Sequence, residues 1–81
     1  MVSENEDKGM SIYPNPTHGM VRIEADGINN ICIFNLLGEK VFESLVSGDA
    51  FEFDFSGYNS GVYLIRMEKA KGVETKLVTV E

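Results

Sequence analysis

Residues 20–25 read Met20-Val21-Arg22-Ile23-Glu24-Ala25. Side chains along an extended strand alternate between its two faces, so Val21, Ile23 and Ala25 share one side and Met20, Arg22 and Glu24 the other. An apolar face backed by a polar one is the period of a half-buried strand, not of a helix. The rhythm recurs at 51–55, where Phe51, Phe53 and Phe55 alternate with Glu52 and Asp54. Those three rings are expected to enter the core together. It recurs again in Tyr63, Ile65 and Met67, which leave Val62, Leu64 and Arg66 on a mixed reverse face that is either partly covered or recognised.

Working outward from these stripes, short β-favouring runs fall at about 10–13, 20–25, 30–36, 40–46, 50–55, 62–69 and 73–80. Turn residues separate them: Asp26-Gly27, Leu37-Gly38-Glu39, Gly48-Asp49, Gly57, Gly61 and Gly72. No helical period competes. Seven strands at this spacing predict an all-β fold, a seven-stranded immunoglobulin-like antiparallel β-sandwich, although the Cys pair and Trp of antibody domains are absent.

With 81 residues the chain makes one domain, and a deep catalytic cleft would be hard to fit. Hydrophobic residues make up 43% and charged residues 25%, a composition that argues against global disorder. Seven Lys and Arg against 13 Asp and Glu give a net charge of −6, which disfavours nucleic acid and anionic lipid as partners. Apolar runs such as Ile31 to Phe34 fall far short of the roughly 20 residues that span a bilayer. Met1 to Lys8 is polar and acidic, with neither the basic nor the apolar region of a signal peptide. Met1 reads as an expression start and the chain as an excised piece. Residues 1–9 are therefore expected to form a flexible acidic linker, with the folded domain over 10–81.

Chemistry-bearing residues are sparse. The only thiol, Cys32, sits among Asn30, Ile31, Ile33 and Phe34 and reads as a buried structural cysteine. The only imidazole, His18, reads as an exposed turn residue, and a Cys32–His18 dyad has no supporting motif. There is no Gly-x-Ser-x-Gly elbow, phosphate-binding loop or dinucleotide fingerprint. One His and one Cys do not make a zinc site. Asp49, Glu52 and Asp54 are expected to be a solvated face, with calcium binding the minor reading. No enzyme activity, cofactor, metal or small-molecule substrate is expected.

The stretch Ile12-Tyr13-Pro14-Asn15-Pro16-Thr17-His18-Gly19 is different. Two prolines fix φ around one Asn, and Gly19 releases the chain into the next strand, which makes a rigid elbow at the opening of the domain. From about Met10 to Glu81 the chain resembles the type IX secretion C-terminal sorting domain family of Bacteroidetes-type bacteria. The resemblance lies in Tyr13-Pro14-Asn15-Pro16 with Gly19, then Ile31-Cys32-Ile33-Phe34-Asn35 leading to Gly38-Glu39-Lys40-Val41. Gly61-Val62-Tyr63-Leu64-Ile65-Arg66 and Lys76-Leu77-Val78-Thr79-Val80 complete it. Phe34-Asn35 stands where the family more often has Tyr-Asp, a change that keeps aromatic packing and turn chemistry.

That resemblance implies an immunoglobulin-like sandwich at the end of a larger cargo protein. It implies recognition in the periplasm by the type IX translocon and an outer-membrane shuttle protein, then passage to the outer-membrane surface or the extracellular space. It also implies removal by a sortase-like cysteine protease at or upstream of residues 1–9. Catalytic residues belong to that protease. The sorting-motif residues carried over are Pro14, Asn15, Pro16, Gly19, Gly38, Gly61, Tyr63, Lys76, Leu77, Val78, Thr79 and Val80. Gly61 and Tyr63 are equally explained by turn geometry and core packing. The last strand is balanced between core and recognition, since an edge over 73–80 would offer free backbone groups to a receptor or to a second copy in a strand-paired dimer. An immunoglobulin-like module gripping glycan or protein without any sorting role stays open on the residues alone, as does an interdomain spacer.

Overall fold

In the computed structural model, which describes residues 9–81, alternation produces five strands. They are β1 (Ser11–Tyr13), β2 (Met20–Phe34), β3 (Lys40–Asp54), β4 (Gly61–Lys69) and β5 (Gly72–Val80). All strand pairs are antiparallel, and no helix occurs among the described residues. Residues 1–8 of the expected linker lie outside the described residues.

Seven expected segments thus appear as five strands, and the reason is physical. The expected strands 20–25 and 30–36 are the two halves of β2, and 40–46 and 50–55 the two halves of β3. Asp26-Gly27 and Gly48-Asp49 do not turn the chain. They face each other inside one long hairpin, where pairing runs from Met20↔Asp54 to Glu24↔Ala50, resumes at Ile28↔Gly48, and shifts again before Asn30↔Leu45. Extra residues in one strand of a pair form bulges, which bend the strand and sharpen its twist. Gly27 takes the left-handed φ of 68° that this bend needs, and its N–H donates to Asp49 Oδ1 at 2.9 Å. Each shift also flips which residues point inward: Val21, Ile23 and Ala25, then Ile28, then Ile31 and Ile33 are buried.

The bend divides the sheet. The first half of β2 lies between β1 and the end of β3; its second half lies between the start of β3 and β4, with β5 beyond. Both halves curl over one core that includes Val21, Ile23, Ile28, Ile31, Ile33, Phe53, Phe55, Tyr63, Ile65, Met67, Val78 and Val80. Phe55 is fully buried at its centre, with ring centroids 4.8 Å from Phe53, 5.9 Å from Tyr58 and 5.0 Å from Tyr63. Phe51, expected beside it, is half-buried and packs at the margin of the core, its ring 6.0 Å from that of Phe42.

Candidate functional site

The elbow begins where β1 ends. Both bonds preceding its prolines, Tyr13–Pro14 and Asn15–Pro16, are cis. Between them the Asn15 amide reaches the outer edge of β5. Its Nδ2 donates to the Leu77 carbonyl at 3.0 Å, and its Oδ1 accepts from the Thr79 N–H at 3.0 Å. A primary amide carries one donor group and one acceptor, so it pairs with a strand edge as a peptide unit would. Thr17 continues the contact through its backbone: its N–H donates to Thr79 O at 2.9 Å and its carbonyl accepts from Glu81 N at 2.8 Å. This is a parallel bridge between Thr17 and Val80.

Thr17 is 1% exposed, and its hydroxyl donates to Met20 O at 2.6 Å while accepting from Gly19 N at 3.0 Å. Sequence reasoning passed over it; the signal was a hydroxyl residue two positions before Gly, which bonds its own turn. Gly19 does not owe its place to a positive φ. Its carbonyl accepts from Phe55 N, and a Cβ there would stand 3.4 Å from Asp54 Oδ1.

Three of the expected motif segments therefore meet. Val80 pairs with Gly61 and Val78 with Tyr63 across β4, while Asn15 and Thr17 hold the opposite edge of the same strand. Val78 and Val80 point into the core, whereas Lys76 and Leu77 are exposed. Tyr63 is buried and its hydroxyl donates to Asn59 O at 2.6 Å, so packing and a hydrogen bond account for it. Gly38 has φ 86° in the β2–β3 turn, where Asn35 Oδ1 accepts from the N–H groups of Leu37 and Glu39. That turn borders a groove of about 510 Å³ lined by Phe34, Leu36, Leu64, Arg66, Thr75 and Leu77 among others, which brings Gly38 to the same side of the sheet as Leu77. From the mixed reverse face of β4, Leu64 and Arg66 line this groove.

The expected free edge over 73–80 needs correcting. In β5 the even residues pair with β4, so the backbone groups of Val73, Thr75, Leu77 and Thr79 point outward. The elbow takes those from the Leu77 carbonyl onward because the Asn15 side chain lies within hydrogen-bond reach of them.

Cys32 is buried beneath polar groups on the outer face: the Asn30 amide donates to its Sγ at 3.4 Å and Arg66 approaches at 3.8 Å. His18 is exposed and faces Glu81 at 3.6 Å, so the two residues have different surroundings and are not brought together. Asp49 receives Gly27 N–H, Glu52 pairs with Arg22 at 3.1 Å, and Asp54 receives Ser56 N–H. No group of three or more His, Cys, Asp or Glu among the described residues is arranged to hold a metal ion.

Lys40, bonded to Glu43 at 2.5 Å, and then the Asn30 amide and the Cys32 thiol hold the Glu43 carboxyl down at about 2. A carboxylate lowered in the folded state contributes stability above its ordinary value of 4.5, and that contribution is lost as pH falls toward about 2. Replacing Lys40 by Met is expected to move the Glu43 midpoint up toward the ordinary range. A carboxyl-carbon NMR titration of both proteins reads it, and an unchanged midpoint would remove Lys40 as the cause.

Residues 11–81 match the family model described as the secretion system C-terminal sorting domain. No curated protein matches the chain.

Proposed function

The chain belongs to the secretion system C-terminal sorting domain family, the sorting signals of type IX secretion, and from that membership we propose which of its surfaces is read. As a sorting signal it directs a cargo protein for export across the outer membrane to the surface or the extracellular space, through interaction with the type IX machinery. The family is not a catalytic one. The reading proposed is that the translocon and an outer-membrane shuttle protein recognise the composite surface of Pro14, Asn15, Pro16 and Gly19 with Lys76, Leu77 and Thr79. Gly38 and the apolar groove border it; Gly61, Tyr63, Val78 and Val80 hold it in shape. The single observation that carries this is the Asn15 amide bridging Leu77 O and Thr79 N, which makes one surface of two motifs more than 60 residues apart.

On this reading recognition happens in periplasmic transit, and a sortase-like cysteine protease separates domain from cargo at or upstream of residues 1–9. The active site lies in that protease, and this chain contributes no catalytic residue. The folded form entering recognition is a variant of the immunoglobulin-like sandwich. Support comes from the bend at Gly27, which turns one hairpin into two half-sheets over a shared core.

The test is a fusion of residues 1–81 behind a periplasm-targeted reporter in a type IX-competent bacterium. Deleting 76–81 would strip Val78 and Val80 from the core, so the informative variant is Lys76→Glu with Leu77→Ser, both exposed. Intact protein is expected outside the cell and the variant retained, with circular dichroism and protease resistance of the purified variant unchanged. Equal export of a folded variant would move recognition away from β5.

A further inference from the structure

Two rows of side chains run across the outer face of the second half-sheet. Phe34, Leu64 and Leu77 stand opposite one another on β2, β4 and β5, and Cys32, Arg66 and Thr75 make the neighbouring row. The first row is wholly apolar, and Leu36 from the β2–β3 turn joins it in lining the groove of about 510 Å³. Leu36 and Leu77 are 72% and 56% exposed. A contiguous apolar patch with a polar rim is the form of an interaction site.

Arg66 lies at the side of this groove, its guanidinium carbon 5.3 Å from the centroid of the Phe34 ring. Its polar contacts among the described residues run through Nη2, to Glu68 Oε2 at 3.6 Å and Cys32 Sγ at 3.8 Å. The first is beyond hydrogen-bond distance, and sulfur is a weak acceptor. Nε is buried with no partner among the described residues. Arg22 shows the contrast: it donates to Glu24 at 2.6 Å and to Glu52 at 3.1 Å. In a chain with 13 Asp and Glu against seven Lys and Arg, a guanidinium without a close carboxylate is under-used. Its five donors match a carboxylate in a two-pronged pair.

We propose that this groove seats an extended peptide segment of the type IX machinery in which one carboxylate is flanked by apolar side chains. The carboxylate meets Arg66, and the apolar groups lie on Phe34, Leu64 and Leu77. The partner's identity rests on the sorting reading; the chemistry of the groove rests on these four residues alone. A net charge of −6 opposes a strand with many acids, whereas a single carboxylate meets Arg66 at close range. The occupant is a peptide rather than an acyl chain because the groove lies open along the sheet face. Its rim also carries the Thr75 hydroxyl, a partner for backbone groups that an acyl chain lacks.

NMR titration of labelled residues 1–81 tests it, with three probes: acetyl-Val-Leu-Asp-Leu-Val-amide, its Asn counterpart, and octanoate. The Asp peptide is expected to shift the Arg66 Nε–H and the Leu64 and Leu77 methyls. The Nε–H of Arg22, the other arginine, should stay in place. Losing the charge-assisted bond should make the Asn peptide bind roughly fivefold or more weakly. Arg66→Gln is expected to abolish that preference and Arg66→Lys to keep part of it. Equal binding of the two peptides, no shift at millimolar peptide, or tighter binding of octanoate than of the Asp peptide would overturn the proposal. In the reporter fusion, Arg66→Gln with unchanged circular dichroism is expected to lower export severalfold. Normal export of that variant would remove the machinery as the partner and overturn the proposal too. The sorting reading is judged separately: it stands if Lys76→Glu with Leu77→Ser is retained, whichever way the peptides bind.

Discussion

Replacing Phe55 by Ala is expected to lower the stability of the domain by about 3–5 kcal/mol, one of the largest losses a single substitution can cause here. The ring is fully buried and meets Phe53, Tyr58 and Tyr63 at 4.8, 5.9 and 5.0 Å. Deleting a buried Phe side chain costs about 3–5 kcal/mol through lost transfer energy and the cavity left behind. At roughly 0.05–0.15 kcal/mol per residue, a domain of this length holds only about 4–12 kcal/mol in all, so the loss takes from about a quarter of the margin to all of it. Phe55→Leu keeps much of the volume and should cost under about 1.5 kcal/mol. Urea unfolding of the two variants checks the ratio. Near-equal midpoints would mean that the aromatic cluster is not the centre of the core. Since Phe55 N also donates to Gly19 O, loss of the ring should loosen the elbow's exit as well, visible as faster amide exchange at that hydrogen bond.

The same aromatic stripe shows how far periodicity reaches. Val21, Ile23 and Ala25 are buried, as are Tyr63, Ile65 and Met67, because period-two alternation reports a face directly. It does not report where a strand ends. A bulge shifts the phase as a turn does, so Asp26-Gly27 and Gly48-Asp49 read as strand breaks when they are bends in β2 and β3. Phe51 shows the cost: it belongs to the expected inward stripe, yet beside the bend it is only half-buried. The elbow was legible from two prolines and a glycine. Its partners were not, since bonds from Asn15 to Leu77 and Thr79 join residues with no local pattern in common. A terminal strand could be suspected of being an edge; that the Asn15 amide and the Thr17 backbone seal its last residues could not be read from spacing. Thr17 is a different case: its hydroxyl bonds to Met20 and Gly19 are local and follow a turn pattern, but its burial comes from β5, far along the chain.

Asn15 is where fold and sorting meet, and its variants should separate the two. Asn15→Ala removes the bonds to Leu77 O and Thr79 N, each worth about 1 kcal/mol in a partly solvated setting. The domain should stay folded with a loosened β5 edge, and on the proposed reading its export should fall severalfold or more. Asn15→Asp is the sharper probe. An ionised aspartate still accepts from Thr79 N but turns a carboxylate oxygen toward the Leu77 carbonyl, so acceptor faces acceptor. Protonation restores a donor, and the folded state therefore holds that carboxyl above the ordinary aspartate value of about 3.9. A group raised on folding contributes stability fully below its unfolded value and loses it as pH rises through its folded value. Relative to wild type, the Asp variant should thus be weakest at neutral pH and recover as pH falls toward about 4, while the Ala variant's deficit stays level. Urea midpoints of the three proteins between neutral pH and pH 4 read the difference, with the acid loss common to all removed by comparison with wild type. Parallel curves for Asp and Ala would mean that the Asn15 amide does not clamp β5 in solution. The joint surface of elbow and last strand would then lose its physical basis.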